Sequence, residues 1–178
     1  NVCAKLYFKS RQTEEQARKI RFMVDNPPTM IVGNGMMLAW PLETLHDQEG
    51  CFIGFIMPKA FPDSKKLVIL TSLKLKKAHK SEWYKFDKEL DAKTAMFSRL
   101  KLINNIAIPI HRLHATEKYV LKDFKPDNVL VTAQGKITIV DLDSIQICQD
   151  GKLLFPGSAA TLDYMPPEFY TENIGRDI

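Results

Sequence analysis

The stretch VLKDFKPDNVLV, residues 120–131, places three different polar groups close together along the chain. Asp123 is a carboxylate, Lys125 is a cation and Asn128 carries a side-chain amide. Pro126 prevents a regular helix here, because proline lacks the backbone N–H that a helix interior needs. We therefore expect the three side chains to lie on a loop that leads into an apolar, β-branched strand.

This set of groups suits phosphoryl transfer, which depends on positioning and charge neutralisation more than on covalent chemistry by the protein. Asp123 can orient an attacking hydroxyl, and Lys125 can offset charge on the transferred group. Asn128 and Asp141, which follows the apolar run KITIV, offer the oxygen ligands that Mg²⁺ prefers. Lys5, within an apolar segment at the other end of the chain, is a second cation that can reach the phosphates.

Composition indicates an ordinary soluble globular protein of one or two small lobes, with 178 residues, 45% hydrophobic and 26% charged. No apolar run approaches the roughly 20 residues of a membrane span, and no signal peptide opens the sequence. The three cysteines are odd in number and far apart, which argues against a disulfide framework or a zinc site. We therefore expect a cytoplasmic protein that does not enter a membrane.

Charge and chain ends set two further expectations. A net charge of +4 permits binding to phosphate-rich ligands without arguing for nucleic acid. Residue 1 is at the start of an apolar strand, and the sequence stops where an apolar helix would begin. We expect it to be a fragment of a longer chain.

Local patterns predict the elements of the first half of the chain. The segment VCAKLYF alternates as a strand does, and residues 10–28 predict a helix that Ser10 or Thr13 caps and that Pro27 and Pro28 end. The apolar stripe of this helix is Ala17, Ile20, Met23 and Val24. Residues 35–58 predict two strands joined by the polar turn HDQEG.

In the second half, residues 63–95 are lysine-rich and predict short helices and loops, with KLKKAHK as a solvated face. Residues 95–120 have helical apolar spacing, and Pro109 should kink or interrupt that helix. Residues 128–147 predict a strand pair around a Gln-Gly turn.

At these residues the chain resembles the protein kinase superfamily, over nearly all of its length. VLKDFKPDN resembles the catalytic loop H-R-D-L-K-P-x-N, IVDLD the D-F-G segment, MPPE the A-P-E segment and VCAK the V-A-I-K strand. The resemblance implies an α+β, two-lobed kinase-like fold, with both lobes incomplete in this fragment. The small β-rich N-lobe would span residues 1–60 and the helical C-lobe residues 61–178, with a linker at residues 58–64.

The resemblance also implies the cofactors ATP and Mg²⁺ and the adenine contacts. The segment GFIMPKA would be the last N-lobe strand and the hinge, with Met57 as gatekeeper. Pro58 is tolerable because the hinge position after the gatekeeper contributes a carbonyl. Ala60 would then give its N–H to adenine.

Several shorter sequence segments are similar to those of a bacterial group of kinase domains associated with helix-hairpin-helix DNA-binding regions. The similar pieces are MVDNPP, AWPLETLHD, GFIMP, DLDSIQI and YMPPEF. Such a DNA-binding region would lie outside this fragment, so we assign no nucleic-acid binding to the fragment itself.

Several positions depart from the family pattern. Leu121 and Lys122 stand where the catalytic loop has histidine and arginine; we expect Leu121 to pack in the core and Lys122 to keep a positive charge for a phosphorylated activation loop, less specifically than arginine would. Asp143 stands where D-F-G has glycine, and we interpret it as a turn residue, with a third metal contact as the alternative. The helix residue that faces Lys5 is also open, because the residues one and two turns after Glu14 and Glu15 are mostly Arg and Lys, whereas Gln16 is followed on its face by Ile20 and Met23.

Three functions are compatible with these features. The first is a protein kinase that phosphorylates Ser or Thr of a protein substrate, the second a pseudokinase that binds nucleotide or a partner without transfer. The third is a small-molecule phosphotransferase of kinase-like fold. The retained polar residues favour activity, and Lys125 with the PPE segment favours a protein substrate. Ser158 and Thr161 lie in the expected activation segment, where either is a candidate phosphorylation site.

Overall fold

The computed structural model describes residues 1–29, 32–33, 35–71, 82–87, 89–158 and 161–164 and combines short strands with two α-helices in those ranges. The strands are β1 (Val2–Leu6), β2 (Val32–Gly33), β3 (Met36–Leu38), β4 (Glu43–His46), β5 (Phe52–Pro58), β6 (Lys65–Lys66), β7 (Tyr119–Val120), β8 (Val129–Val131), β9 (Ile137–Ile139), β10 (Gln146–Gln149) and β11 (Lys152–Phe155). The helices are α1 (Glu14–Asp25) and α2 (Ala92–His114). This mixture confirms the α+β class and is consistent with part of a kinase-like fold. The division into two lobes stays a prediction.

The described strands form three sheets. The first has the order β1-β5-β4 and is antiparallel, with Lys5 opposite Phe55. The second has the order β2-β3-β9-β8-β6, in which β3 and β9 run parallel. The third has the order β11-β10-β7. The β8–β9 hairpin at the centre of the second sheet is the predicted strand pair, and it carries the polar residues of interest at one end.

Helix α1 begins and ends where the sequence predicts. The hydroxyl of Thr13 accepts a hydrogen bond from the backbone N–H of Gln16 at 3.2 Å and so caps the first turn. Ala17, Ile20 and Met23 are buried. Full burial of such side chains stabilises the fold by about 1.5–3 kcal/mol for each large residue. This apolar face packs α1 against β4 and β5.

Two buried aromatic residues hold the end of α1. The indole N–H of Trp40 donates to the carbonyl oxygen of Met23 at 2.8 Å, and the Tyr119 hydroxyl donates to the carbonyl oxygen of Asn26. The Trp40 and Tyr119 rings meet edge to face, with centroids 4.8 Å apart. The end of α1 is therefore tied to the segment after β3 and to β7.

Helix α2 supports the hairpin from the other side. Its N-cap is Asp91, whose carboxylate accepts the backbone N–H groups of Lys93 and Thr94 at 3.0 and 3.1 Å. The helix continues through Pro109, so this proline does not mark a break. The side-chain amide of Asn105 donates to the carbonyl oxygen of Gly135 at 3.2 Å, which joins α2 to the turn between β8 and β9.

Residues 35–58 form three strands instead of the predicted two. Met36–Leu38 is a separate strand that pairs in parallel with Ile137–Ile139, whereas the hairpin β4–β5 belongs to another sheet. Pro41 lies between β3 and β4 and cannot donate a backbone hydrogen bond to a neighbouring strand, since it has no N–H. The chain can therefore change sheets at this point.

In the lysine-rich region, the described parts contain β6 and two short 3-10 helices, Leu67–Leu70 and Tyr84–Phe86. The segments KLKKAHK and MPPE lie outside the described residues. Neither helix in the described ranges is both long and apolar enough for a membrane span. Cys3, Cys51 and Cys148 are free thiols.

Candidate functional site

The β8–β9 hairpin brings the Asp123 loop and the Asp141 segment together. Val129 pairs with Ile139, and the backbone N–H of Val140 donates to the carbonyl oxygen of Asn128 at 2.9 Å. Because this pair closes one end of the hairpin, Asn128 and Asp141 lie at that same end. Their role as metal ligands stays a prediction.

Asp123 is buried, 7% exposed, and its carboxylate has several partners. One oxygen forms an ion pair with the Lys125 ammonium at 2.8 Å, and the other accepts a hydrogen bond from the Thr161 hydroxyl. The Asn128 amide donates to the backbone carbonyl of Asp123 at 2.9 Å and to its carboxylate at 3.3 Å. The predicted set of carboxylate, cation and amide is therefore a single contact cluster.

The charges of this cluster stabilise one another. Burial acts to raise the pKa of the Asp123 carboxyl group, but hydrogen bonds from Lys125 and Thr161 outweigh burial and lower that pKa below its ordinary value. The hydrogen bond to Asp123 raises the pKa of the Lys125 ammonium, and the charge of Asp141 adds to the effect. Near neutral pH, Asp123 is therefore a carboxylate and Lys125 an ammonium.

Thr161 is the residue of this cluster that the sequence did not assign to the site. Its hydroxyl accepts a hydrogen bond from the Lys125 ammonium at 2.9 Å while it donates to Asp123. A phosphate on this hydroxyl would add negative charge beside the Asp123 carboxylate, so the contacts disfavour Thr161 as a phosphorylation site. Ser158, the other candidate, is exposed.

Lys5 reaches the hairpin end from β1, and its contact with phosphates stays a prediction. Its ammonium lies 2.6 Å from one carboxylate oxygen of Asp141 and 2.5 Å from one of Asp143. The two carboxylates differ in environment, because the Asp141 side chain is 45% exposed and the Asp143 side chain 9% exposed. In the described part of the chain, these two aspartates are the ion-pair partners of Lys5.

A second chain of hydrogen bonds leads from Asp143 to helix α1. The Tyr7 hydroxyl donates to the other carboxylate oxygen of Asp143 at 2.6 Å, and the Gln16 amide donates to the Tyr7 hydroxyl at 2.9 Å. Of the three helix residues considered as the partner of Lys5, Gln16 is thus the one joined to the cluster, through Tyr7. Tyr7 lies directly after the end of β1 and two positions after Lys5, a spacing that puts both side chains on the same side of the chain.

The pKa values of both donors to Asp143, the Lys5 ammonium and the Tyr7 hydroxyl, are raised. Burial acts to lower the pKa of the Lys5 ammonium, but the charge of Asp143 and hydrogen bonds to both aspartates raise it above its ordinary value. Burial, followed by the charge of Asp143, raises the pKa of the Tyr7 hydroxyl. Lys5 therefore stays charged and Tyr7 keeps its proton for the hydrogen bond.

The backbone around Asp141 has an uncommon conformation. Asp141 has φ 65° and ψ 32°, in the left-handed region, directly before the short 3-10 helix Leu142–Ser144. The Ser144 hydroxyl donates to the Asp141 carbonyl oxygen at 2.8 Å and stabilises this turn. The turn interpretation of Asp143 agrees with its backbone, but its side chain has the additional role of pairing with Lys5.

The predicted adenine contacts lie at the far end of β5. Met57 is opposite Cys3 in the β1–β5 pairing, and Cys3 shares the face of Lys5 because two positions separate them. Pro58 ends the strand. Ala60 borders a cavity of about 520 Å³ that Phe61 also lines. The roles of Met57, Pro58 and Ala60 in adenine binding stay predictions.

Comparisons with known proteins point in one direction. No protein-family model matches the chain. It is 35% identical over 86 residues to the serine/threonine-protein kinase MRCK alpha of Mus musculus, covering 47% of this chain and 5% of that protein. It is 32% identical over 121 residues to PknD of Chlamydia trachomatis, covering 53% and 13% respectively. It is 25% identical over 154 residues to the chloroplastic kinase STN8 of Arabidopsis thaliana, covering 84% and 27%.

The chain is similar to Ser/Thr protein kinases. These partial similarities indicate the kinase superfamily, and the chain spans between 5% and 27% of the length of these relatives. Their names do not mention a helix-hairpin-helix region, so that finer resemblance stays a prediction.

Proposed function

We propose that the chain is the ATP-binding part of a protein kinase, which transfers the γ-phosphoryl group of ATP to serine or threonine of a protein. The observation that carries this proposal is the cluster around the buried Asp123 carboxylate, which Lys125, Asn128 and Thr161 hold beside the Asp141 segment. The names of the relatives support the same activity.

Each charged residue then has a role that its contacts support. Asp123 has a pKa below its ordinary value and so acts mainly as an acceptor that orients the substrate hydroxyl. Lys125, beside it, offsets negative charge on the transferred phosphoryl group. Lys5 binds the phosphates from the β1 side.

The oxygen atoms at the hairpin end fit Mg²⁺. The amide N–H₂ of Asn128 is used by Asp123, which leaves the amide oxygen for a cation. Among the described residues, one carboxylate oxygen of Asp141 accepts no hydrogen bond, and this side chain is partly exposed. Amide and carboxylate oxygens are ordinary Mg²⁺ ligands. Bound Mg²⁺ would neutralise charge on the phosphate oxygens.

The base of ATP would then lie against β1 and β5. Met57 and Cys3 face each other in the register that places Lys5 on the same side of the sheet. Pro58 and Ala60 follow directly in the chain and offer a carbonyl and an N–H group, respectively. This order supports a binding mode with the base beside Met57 and the phosphates beside Lys5.

One observation favours the pseudokinase alternative. The Lys5 ammonium lies within 2.6 Å of two carboxylates, an arrangement that satisfies this cation without a phosphate. A chain that kept this arrangement would bind nucleotide or a partner without transferring phosphate.

The test is incubation of the full-length protein with γ-labelled ATP, Mg²⁺ and a generic basic protein, followed by phosphoamino-acid analysis. We expect label on serine or threonine of the protein itself or of the added substrate. The Asp123→Asn variant should lose this transfer but keep the rise in melting temperature that ATP causes, because a lost orienting carboxylate mainly lowers the rate. Lys5→Ala should lose most of the ATP-induced rise.

A matched control is Asp127→Asn, which makes the same change in a neighbouring exposed aspartate that pairs with Lys66 at 2.8 Å. This variant should transfer phosphate as the wild type does. ATP binding without transfer in the wild type would favour the pseudokinase, and transfer only to small hydroxyl compounds would favour the small-molecule alternative. An unchanged melting curve at millimolar ATP would contradict nucleotide binding itself.

A further inference from the structure

The Asp143 carboxylate has a hydrogen-bond donor on each oxygen atom. One oxygen lies 2.5 Å from the Lys5 ammonium, and the other accepts the Tyr7 hydroxyl at 2.6 Å. Both donors come from β1 and its direct continuation. A buried carboxylate with both oxygens hydrogen-bonded is held in one orientation, and its partner is held with it.

Asp141 is the weaker of the two partners of Lys5. It offers Lys5 one oxygen and is 45% exposed, so water and salt screen the interaction. Asp143 is buried, and its charge is screened much less. Lys5 can therefore keep its position through Asp143 while Asp141 is available to another ligand.

Helix α1 contributes to this arrangement through a neutral residue. The Gln16 amide donates to the Tyr7 hydroxyl at 2.9 Å, so the single hydroxyl proton of Tyr7 is free to bind Asp143. A glutamate at position 16 would compete with Asp143 for that one proton and would repel it. The neutral Gln16 thus fits a site whose anchoring carboxylate already comes from another segment.

We propose that Asp143 and Tyr7 are the positioning residues for Lys5, so that this lysine is anchored by the segment after β9 and not by an acidic residue of α1. The consequence of this anchoring for nucleotide binding rests on the proposed function. The anchoring itself requires no nucleotide and can be measured without one.

Double-mutant cycles in the nucleotide-free protein test the anchor. Lys5→Met is combined with Asp143→Asn in one cycle and with Asp141→Asn in the other, and chemical denaturation midpoints give the two couplings. The cycle through Asp143 should show the larger coupling. A coupling through Asp141 that equals or exceeds it would overturn the proposal.

Kinetics of the full-length protein test the positioning. Tyr7→Phe keeps the ring contacts with Phe52 and Phe55 at 5.7 and 6.0 Å but removes the hydroxyl. This variant should raise the KM for ATP by about 5- to 10-fold with a smaller change in kcat, since the lost positioning affects phosphate binding. Gln16→Glu should have the same effect.

A loss of stability alone would not produce this separation of KM from kcat. If Tyr7→Phe and Gln16→Glu both keep the wild-type KM, the positioning role is wrong. If the wild type itself neither binds nor uses ATP, the proposed function fails, and the double-mutant cycles alone decide whether Asp143 anchors Lys5.

Discussion

The Thr161 hydroxyl donates a hydrogen bond to the Asp123 carboxylate across 38 positions of sequence. Lys125 donates to the same hydroxyl at 2.9 Å and pairs with the same carboxylate at 2.8 Å, so the three side chains form a closed set of contacts. This set joins the segment after β11 to the loop before β8. The orientation of Asp123 therefore depends on the placement of the segment that carries Thr161.

Replacement of Thr161 by valine removes the hydroxyl and keeps the shape. We expect the rate of phosphate transfer to fall on the order of 10- to 100-fold, because a misplaced reacting group costs about that much, while ATP binding stays unchanged. Thr161→Ser should keep most activity, since it retains the hydroxyl. Tyr164→Phe, which removes a hydroxyl at an exposed position of the same segment, is the control. A wild-type rate in Thr161→Val would contradict the role of this contact.

Substitution of Asp141 should change the response to magnesium. An amide cannot supply the negative charge of a carboxylate ligand, so Asp141→Asn should need more Mg²⁺ to bind ATP, as isothermal titration at several Mg²⁺ concentrations can measure. Asp143→Asn should weaken ATP binding similarly at every Mg²⁺ concentration, because it acts through Lys5. Identical Mg²⁺ profiles for the two variants would show that the assignment of the metal ligand is wrong.

Gly54 controls the distance between β1 and β5. A Cβ atom at this position would lie 2.1 Å from the carbonyl oxygen of Lys5 and 3.1 Å from the Cα of Leu6, so the backbone of β1 would have to move. Gly54→Ala should lower the stability by about 1–3 kcal/mol, as overpacking does, and should reduce the ATP-induced rise in melting temperature. Gly50→Asn is the control, because nothing lies within 4 Å of that Cβ and asparagine tolerates the positive φ. Equal melting temperatures of Gly54→Ala and the wild type would contradict the role of Gly54 in the spacing of β1 and β5.

Because of Lys19, the free energy of unfolding should depend on pH in the alkaline range. It is 3% exposed, and burial lowers the pKa of its ammonium from 10.5 to about 8. Below about pH 8, Lys19 is protonated in both states, and the penalty for burying the charge is constant. Between pH 8 and 10.5 the unfolded chain holds more protons, so this residue's contribution to stability rises with pH.

The variant Lys19→Met removes this titration. It should be more stable than the wild type near neutral pH, on the order of 3 kcal/mol at most, with the advantage shrinking towards pH 10. Urea denaturation at several pH values measures the difference. Lys66→Met, the same substitution at an exposed position, is the matched control at each pH value. A Lys19→Met variant that is less stable near neutral pH would mean that the hydrogen bond to the Pro156 carbonyl oxygen outweighs the cost of the buried charge.

The elements that the sequence predicts correctly are those whose signals are local. Thr13 caps α1 and the prolines after it end it, and the period of its buried residues matches one helix face. The β8–β9 hairpin follows from its alternation and from the turn at Gly135. The strand Met36–Leu38 was not separated from its neighbour, because its partner β9 lies far away in sequence and a parallel pairing leaves no local signal.

The sequence by itself determined the chemistry of the Asp123 loop, because a carboxylate, a cation and an amide within six positions of one loop must lie near one another. It also identified Lys5 and Asp141 as residues suited to phosphate and metal. Only the tertiary structure decided that Lys5 pairs with Asp143, that Tyr7 supports Asp143, and that Thr161 completes the Asp123 cluster. These contacts join segments that are more than 30 positions apart, and hydrogen bonds at 2.5–2.9 Å depend on the packing of β1, α1 and the hairpin, which a list of residue types does not specify.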